Sequence, residues 1–164
     1  MVRRLPVILF GVTLLVSACG GRSGGFSPAD GYADMECVPY ARDVSGIQLF
    51  GEAASWWEQA EGRYARSAEP VAGGVLVFRR SQRLPAGHVA VVSALISNRE
   101  IRVTQANWVH HHVTAGDKVI DVSPDNDWTA VRVWWPPAGA MGSTQYPTYG
   151  FVVPAGGDDR VALR

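Results

Sequence analysis

The sequence lacks any excess of charge and any basic stretch. Its 164 residues hold 15 Lys and Arg against 15 Asp and Glu. Proteins that bind nucleic acid carry clustered positive charge, so the composition excludes that class of partner. The sequence has no internal repeat, and the length indicates one domain. Its one long apolar run, over residues 5–16, is shorter than the roughly 20 residues that a membrane-spanning helix needs.

The first residues have the pattern of an export signal. Arg3 and Arg4 precede the apolar run, and small residues follow it up to Cys19. The stretch VSAC resembles a bacterial lipobox, which implies that Cys19 becomes the lipidated first residue of the mature protein; a chance cysteine after an ordinary signal peptide is the alternative. We therefore expect a lipoprotein-type signal peptide over residues 1–18 and a tether rich in Gly and Ser over 19–30.

These expectations predict where the protein resides. Acyl chains on Cys19 would hold it to the outer membrane, in the periplasm or cell envelope. Without Arg3 and Arg4 the mature chain has 13 basic residues (15 − 2) against 15 acidic ones, a net charge near −2. Such a mild balance names no charged partner, and we expect a monomer.

Cysteine is scarce, and the second of the two cysteines has no intramolecular partner. Exported proteins usually pair their cysteines, but Cys19 is either cleaved off or lipidated, so Cys37 is left over. A leftover thiol in an exported protein indicates intermolecular pairing or a reactive group. A small buried hydrophobic side chain is the alternative.

The order of patterns predicts helices first and a sheet afterwards. A short helix is expected over 37–45, with Pro39 in its first turn and Gly46 as terminator, and a second over about 52–61. Strands are expected within the ranges 73–80, 87–95, 99–108, 117–123 and 130–137. Beyond Pro136 we expect irregular chain with at most an edge strand. The layout predicts an α+β fold, in which N-terminal helices pack on a mostly antiparallel β-sheet.

Two of these elements place groups that suit nucleophilic catalysis. Cys37 lies at a helix N-terminus, where the dipole and free N–H groups lower a thiol pKa. His88 follows Gly87 and opens a buried strand. A polar ring on such a face needs a partner. A histidine satisfied within the core is the alternative to a catalytic base.

A group that orients the imidazole is also available. The period of two puts Gln105 and Asn107 on an otherwise apolar strand face. A hairpin turn near 97–99 would bring that strand end opposite His88. Either amide could orient the ring of a Cys–His pair, or both could merely cap the strand.

Three blocks of the sequence resemble the CHAP domain, the cysteine, histidine-dependent amidohydrolase/peptidase family. ECVPYAR resembles its nucleophile helix, GGVLVFRR followed by GHVAVV resembles the strand pair that leads to its base, and VTQANW resembles its third block. The resemblance implies a papain-like fold and a catalytic domain over 31–137, followed by a Pro- and Gly-rich extension over 138–164. It also implies cleavage of peptidoglycan amide bonds without a cofactor.

The resemblance also implies roles for individual residues. Cys37 would be the nucleophile and His88 the general base. Many members carry an acidic residue where this sequence has Gln105. The departure leaves the third role open, and we expect Asn107 first and Gln105 second as the group that orients the ring. We expect the groove to be lined by aromatic side chains, namely Tyr40, Trp57 and Trp108.

The predicted function is a cysteine-dependent peptidoglycan hydrolase, an amidase or endopeptidase that works through a thioacyl-enzyme. One alternative is a non-catalytic envelope lipoprotein whose degenerate groove binds cell-wall peptides, which the neutral Gln105 favours. Another is an amidase for a small thiol or polyamine conjugate. The histidines at 110–112 do not change this prediction, because neighbouring strand residues face opposite ways and a zinc site needs about four ligands. We expect no metal.

Overall fold

The computed structural model describes residues 36–156. The predicted signal peptide over 1–18, the tether over 19–30 and the lipidated Cys19 lie outside these residues, as does the end of the predicted extension, 157–164. None of the helices within the described residues has the length and apolar character needed to span a membrane.

Two short helices open the described chain. Helix α1 covers Cys37–Ser45 and ends at Gly46, whose φ of 76° lets its N–H reach the carbonyl of Arg42, as the sequence predicts. The second helix is much shorter than expected. A 3₁₀ turn over Ala53–Ser55 leads into α2, which covers only Trp56–Gln59.

The rest of the described chain is a sheet of antiparallel strands. The bounds of the eight strands are β1 (Ala65–Ser67), β2 (Val75–Phe78), β3 (His88–Ser97), β4 (Glu100–Ala106), β5 (Val113–Asp121), β6 (Ala130–Trp135), β7 (Ala140–Met141) and β8 (Tyr146–Val153). Their order across the sheet is β1-β8-β2-β3-β4-β5-β6-β7, and β8 also pairs with β6.

The second pairing of β8 closes six of the strands into a barrel. Strand β8 pairs with β2 on one side and with β6 on the other, so β2, β3, β4, β5, β6 and β8 form a ring. The predicted α+β, papain-like layout with helices packed on a sheet is therefore wrong. The protein is mostly β, with a closed six-stranded antiparallel barrel and two short helices.

The strand that closes the barrel lies where irregular chain was expected. Its sequence, YPTYGFVV, contains a proline and a glycine, and its apolar run is confined to the end of the strand. Its hydrogen bonds come from distant residues, such as the bond from the Thr148 N–H to the Thr129 carbonyl and the bond from the Arg79 Nε to the Thr148 carbonyl. Such non-local pairing leaves no local pattern to read. The predicted domain boundaries themselves stay predictions.

The barrel has an inner core and an outer core. Side chains from all six strands fill its interior, together with Trp128. The helices cover part of the outside, where they pack on β2, β3 and β8. Strand β2 is consequently buried on both faces, with all four of its residues inaccessible. The outer core contains Ala41, Ile47, Leu49, Ala53, Trp56, Ala60, Val75, Val77, Val89, Val91 and Val152.

The predicted hairpin is confirmed. Strands β3 and β4 pair antiparallel, with Ser97 opposite Glu100 across a two-residue turn. Along β4 the predicted inward face is buried, namely Ile101, Val103 and Gln105, and Ala106 at the end of the strand is buried as well.

A close backbone approach fixes the start of β3. Gly87 has a φ of 75°, and a Cβ added there would lie 2.6 Å from the Ala54 Cβ and 2.7 Å from the Phe78 carbonyl oxygen. The Ala54 N–H also donates to the Ala86 carbonyl at 3.0 Å. Only glycine fits between the 3₁₀ turn and the end of β2, and the next residue is His88.

Gly87→Ala should lower the free energy of unfolding by about 3 kcal/mol, because left-handed strain of about 1–2 kcal/mol adds to an overpacking cost of about 1–3 kcal/mol. Gly73→Ala is the matched control, since Gly73 has a φ of 78° but open space around an added Cβ, and it should cost about 1 kcal/mol. Urea unfolding measures both. Equal losses would contradict the close approach at Gly87.

Candidate active site

The described structure brings Cys37 and His88 to one cleft of about 620 Å³. Cys37 is the first residue of α1, and His88 is the first residue of β3. Both line the cleft, whose volume is typical of small-ligand and peptide sites. The cleft is lined by Glu36, Cys37, Val38, Pro39, Arg42, Phe50, Gly51, Glu52, Ala53, Arg83, Leu84, Pro85, Ala86, Gly87, His88 and Asn107.

The thiol of Cys37 is more buried than a helix N-terminus alone suggests. Burial raises the pKa of the Cys37 thiol, and the backbone N–H of Val89, followed more weakly by those of Val38 and Cys37, opposes that increase. The carboxylate of Glu36 adds to the increase. The lowered thiol pKa that the sequence predicts is therefore wrong for the free protein, because desolvation outweighs the effect of the N–H groups.

The ring of His88 is held in a buried, largely aromatic setting. His88 is 4 % exposed, with ring-centroid distances of 5.4 Å to Phe78 and 5.1 Å to Trp108. Its Nε2 lies 2.9 Å from Oε1 of Gln105. An amide oxygen only accepts hydrogen bonds, so Nε2 carries the proton and donates it. In the neutral ring, Nδ1 is then the basic nitrogen.

Burial also determines the charge of this ring. It lowers the pKa of His88 from 6.5 to about 4, although the hydrogen bond with Gln105 opposes the decrease. Together with the raised thiol pKa, this makes a neutral thiol and a neutral imidazole the resting state at neutral pH. A preformed thiolate–imidazolium pair is not the ground state of the free protein.

Gln105, and not Asn107, is the amide that contacts His88. The Asn107 side chain instead donates to Oε2 of Glu36 at 2.8 Å and accepts from the His111 N–H at 3.0 Å. Asn107 has left the strand, with a φ of 59°, and this turns its side chain away from the ring. The expected order of preference, Asn107 before Gln105, is therefore reversed in the structure.

The three aromatic side chains expected in the groove have different positions. Trp108 packs beside the His88 ring and against Tyr146, with centroids 5.1 Å apart in each pair. Tyr40 is buried on the far side of α1, where its hydroxyl contacts Thr104. Trp57 stacks on Tyr149 against β8. None of the three therefore lines the cleft: Trp108 lines the neighbouring pocket together with Arg83, and helix rotation and core packing direct Tyr40 and Trp57 elsewhere.

Several residues at the site had no sequence signal. Arg83 lies in the loop before β3 and lines both the cleft and a neighbouring pocket beside Trp108. Arg42 and Glu52 also line the cleft, and Glu52 forms an ion pair with Arg80. Their positions depend on loops whose paths no periodicity reveals.

The three consecutive histidines lie in the connection after β4, beside the cleft residue Asn107. The rings of His110 and His111 lie against each other at a tilt of 48°, with centroids 3.7 Å apart, and Nδ1 of His112 lies 2.7 Å from the His110 carbonyl oxygen. Within residues 36–156 no group of three His, Cys, Asp or Glu side chains is arranged to hold a metal ion.

The comparisons with known proteins agree with the resemblance read from the sequence. Residues 27–107 match the family model of the CHAP domain. This range includes α1, the start of β3 and the end of β4, and hence Cys37, His88 and Gln105. A CHAP domain indicates an amidase- or peptidase-type function on peptidoglycan. Comparison with the curated proteins returns no match.

The buried neutral His88 predicts a loss of stability in acid. Its pKa is 6.5 when unfolded and about 4 when folded, so the unfolded chain binds the proton first. Stability is therefore lost as the pH falls from about 6.5 to about 4, by about 3 kcal/mol in total.

His88→Asn is the control, because the variant keeps an N–H donor but does not titrate in this window. The difference in unfolding free energy between the two proteins isolates His88 from the carboxylates. As the pH falls, we expect the unsubstituted protein to lose more unfolding free energy than His88→Asn does. A difference that stays constant from pH 7 to pH 4 would contradict the buried neutral ring.

Proposed function

We propose that this chain, which contains a CHAP domain, is a cysteine-dependent hydrolase that cleaves amide bonds of peptidoglycan. The observation that carries the proposal is the single cleft lined by both Cys37 and His88, with the His88 ring oriented by Gln105. A thiol, an imidazole and a group that holds the imidazole are the parts that such catalysis needs. No metal takes part in the proposed reaction.

The reaction begins with a neutral pair. As the Cys37 sulfur attacks the amide carbonyl, Nδ1 of His88 takes the thiol proton, so the thiolate forms in the same step as the new carbon–sulfur bond. The backbone N–H of Cys37, at the start of α1, is the candidate donor to the oxyanion. The imidazolium then gives its proton to the leaving amine, and the carbon–nitrogen bond breaks to leave a thioacyl-enzyme.

Water completes the cycle. His88, neutral again, accepts a proton from a water molecule that attacks the thioester carbonyl. The carbon–sulfur bond breaks, a carboxylic acid leaves, and Cys37 recovers its proton from the ring. The ring needs no reorientation between the two halves, because its Nε2 stays bonded to Gln105 throughout.

The charges around the cleft support a peptide substrate. Arg42 and Arg83 supply cations, and Glu36 and Glu52 supply anions. Cations of this kind bind the free carboxylates of a peptide, and anions bind its amines. A cleft with both signs suits a peptide with acidic and basic groups better than a neutral lipid.

A non-catalytic binding module remains the second candidate. The specific observation in its favour is the raised pKa of the Cys37 thiol, together with the lowered pKa of His88. Such a module would bind cell-wall peptides in the same cleft and release no product. Digestion of purified sacculi, followed by mass spectrometry of the muropeptides, separates the two functions.

Cys37→Ala should abolish the release of muropeptides, with a loss of at least about a thousandfold, because removing the nucleophile of a catalytic set costs on this order. Val44→Ala is the control, since Val44 lies on the same helix but is 44 % exposed, and it should digest sacculi normally. Undiminished digestion by Cys37→Ala would overturn the proposal. Binding to sacculi without product from the unsubstituted protein would favour the binding module.

We also propose that Cys19 carries the lipid that tethers the protein to the membrane, as the VSAC stretch suggests. Cys19→Ala should lose label from an alkyne-bearing fatty acid and should move from the membrane fraction to the soluble fraction. Cys37→Ala should keep both the label and the membrane association. Label that persists in Cys19→Ala would contradict this assignment.

A further inference from the structure

A buried carboxylate lies behind the amide that orients His88. Nε2 of Gln105 donates to Oδ2 of Asp117 at 2.9 Å. Gln105 is fully buried and Asp117 is 6 % exposed. A carboxylate only accepts hydrogen bonds, so it must face the amide nitrogen, and the amide oxygen must then face the ring. Asp117 thereby fixes which way Gln105 points.

The backbone of β5 is adapted to place this carboxylate. Along β5, Ala115 pairs with Thr104 and Asp117 pairs with Val103, so Gly116 is an extra residue. Its φ of 74° is the left-handed conformation that a bulge of this kind uses. Without the bulge, residues 114 and 117 would face opposite sides of the sheet.

With the bulge, both side chains meet inside the barrel. The Thr114 hydroxyl donates to the same Asp117 oxygen that accepts from Gln105. The hydroxyl and the amide together hold a carboxylate that has little access to water. A charge is costly to bury unless it is paired or hydrogen-bonded, and here its position agrees with a role at the site.

We infer that Asp117 is a positioning residue of the proposed active site, which holds His88 through Gln105 and stabilises the imidazolium that forms during catalysis. This inference rests on the proposed function. The hydrogen bonds run from His88 to Gln105 and from Gln105 to Asp117, so the amide transmits the polarity of the carboxylate to the ring. The neutral Gln105 is then the middle member of a relay with a charged end.

In the described part of the chain, no other group in contact with the His88 ring supplies a negative charge that could stabilise the imidazolium. Its two aromatic neighbours, Phe78 and Trp108, are uncharged. The titratable and charged groups that share its cleft are Glu36, Cys37 and Arg42 from α1 and its start, Glu52 before the 3₁₀ turn, and Arg83 before β3. Asp117 approaches from the opposite side, inside the barrel.

The first test removes the charge and keeps the shape. Asp117→Asn retains an oxygen that can accept from Gln105 and Thr114, but it carries no charge. We expect the rate of alkylation of Cys37 by iodoacetamide at pH 7 to fall about tenfold, because one pKa unit lost at His88 lowers the thiolate–imidazolium population tenfold. Peptide mapping distinguishes this thiol from Cys19.

Asp121→Asn is the matched control. Asp121 lies on the same strand and is similarly buried, at 4 % exposure, but it binds Ser123 and Arg99 instead of Gln105. Both variants should lose stability, whereas only Asp117→Asn should slow alkylation. If the two variants slow it equally, or neither does, the relay is overturned and Asp117 is merely structural.

The second test exchanges the two groups. In the double variant Gln105→Glu/Asp117→Asn, a carboxylate contacts His88 directly and an amide lies behind it. We expect the pKa of His88, measured by NMR, to rise by at least one unit above that of the unsubstituted protein, and Cys37 alkylation to recover or exceed the original rate. An unchanged His88 pKa would overturn the relay, even if Asp117→Asn alone fails to fold.

These readouts do not depend on turnover. If the unsubstituted protein releases no muropeptide, the proposed hydrolase function fails, yet the shifts at His88 and Cys37 still test the relay. If the protein is active but the shifts are absent, the relay fails while the hydrolase function stands.

Discussion

The pairing of β8 with both β2 and β6 is the constraint on which the rest of the structure depends. It closes the sheet and creates an interior in which β3, β4 and β5 present side chains to one another. His88 stands at the rim of that interior, where the barrel meets the helix that carries Cys37. An open sheet would leave Gln105 and Asp117 accessible to water, and their hydrogen bonds would then compete with solvent.

Burial orders the side chains of the site and also keeps its thiol and its imidazole neutral. The same exclusion of water that orders the ring of His88 lowers its pKa to about 4, and it raises the pKa of the Cys37 thiol. A site of this kind holds only a small population of reactive thiolate at rest. In the proposed reaction the thiol proton therefore moves to His88 as the sulfur attacks the substrate.

Sequence patterns predicted the parts of the site that depend on a single helix or a single hairpin. Pro39 and Gly46 mark the two ends of α1 and so place Cys37 at its first residue. The period of two along β4, with a short hairpin turn, brought Gln105 opposite His88. These features depend on residues that are near in sequence, and they match the CHAP domain over 27–107.

The parts that escaped prediction depend on distant contacts or on a shift in phase. The strand over Tyr146–Val153 is stabilised by partners far away in sequence, so its Pro and Gly suggested irregular chain. Asp117 was visible as the start of a strand, on the same face as Val119 and Asp121, but only the bulge at Gly116 brings Thr114 onto that face as well. The strand period in the sequence puts Asn107 on the same face as Gln105, but its left-handed backbone turns its side chain away from His88.

The central claim is that a neutral His88 with its proton on Nε2 serves as the base for Cys37. The most direct measurement is a two-dimensional NMR experiment that correlates the ring nitrogens of His88 with its carbon-bound protons at pH 7. The account predicts a protonated Nε2 and an unprotonated Nδ1. A ring protonated on Nδ1, or on both nitrogens, would contradict it.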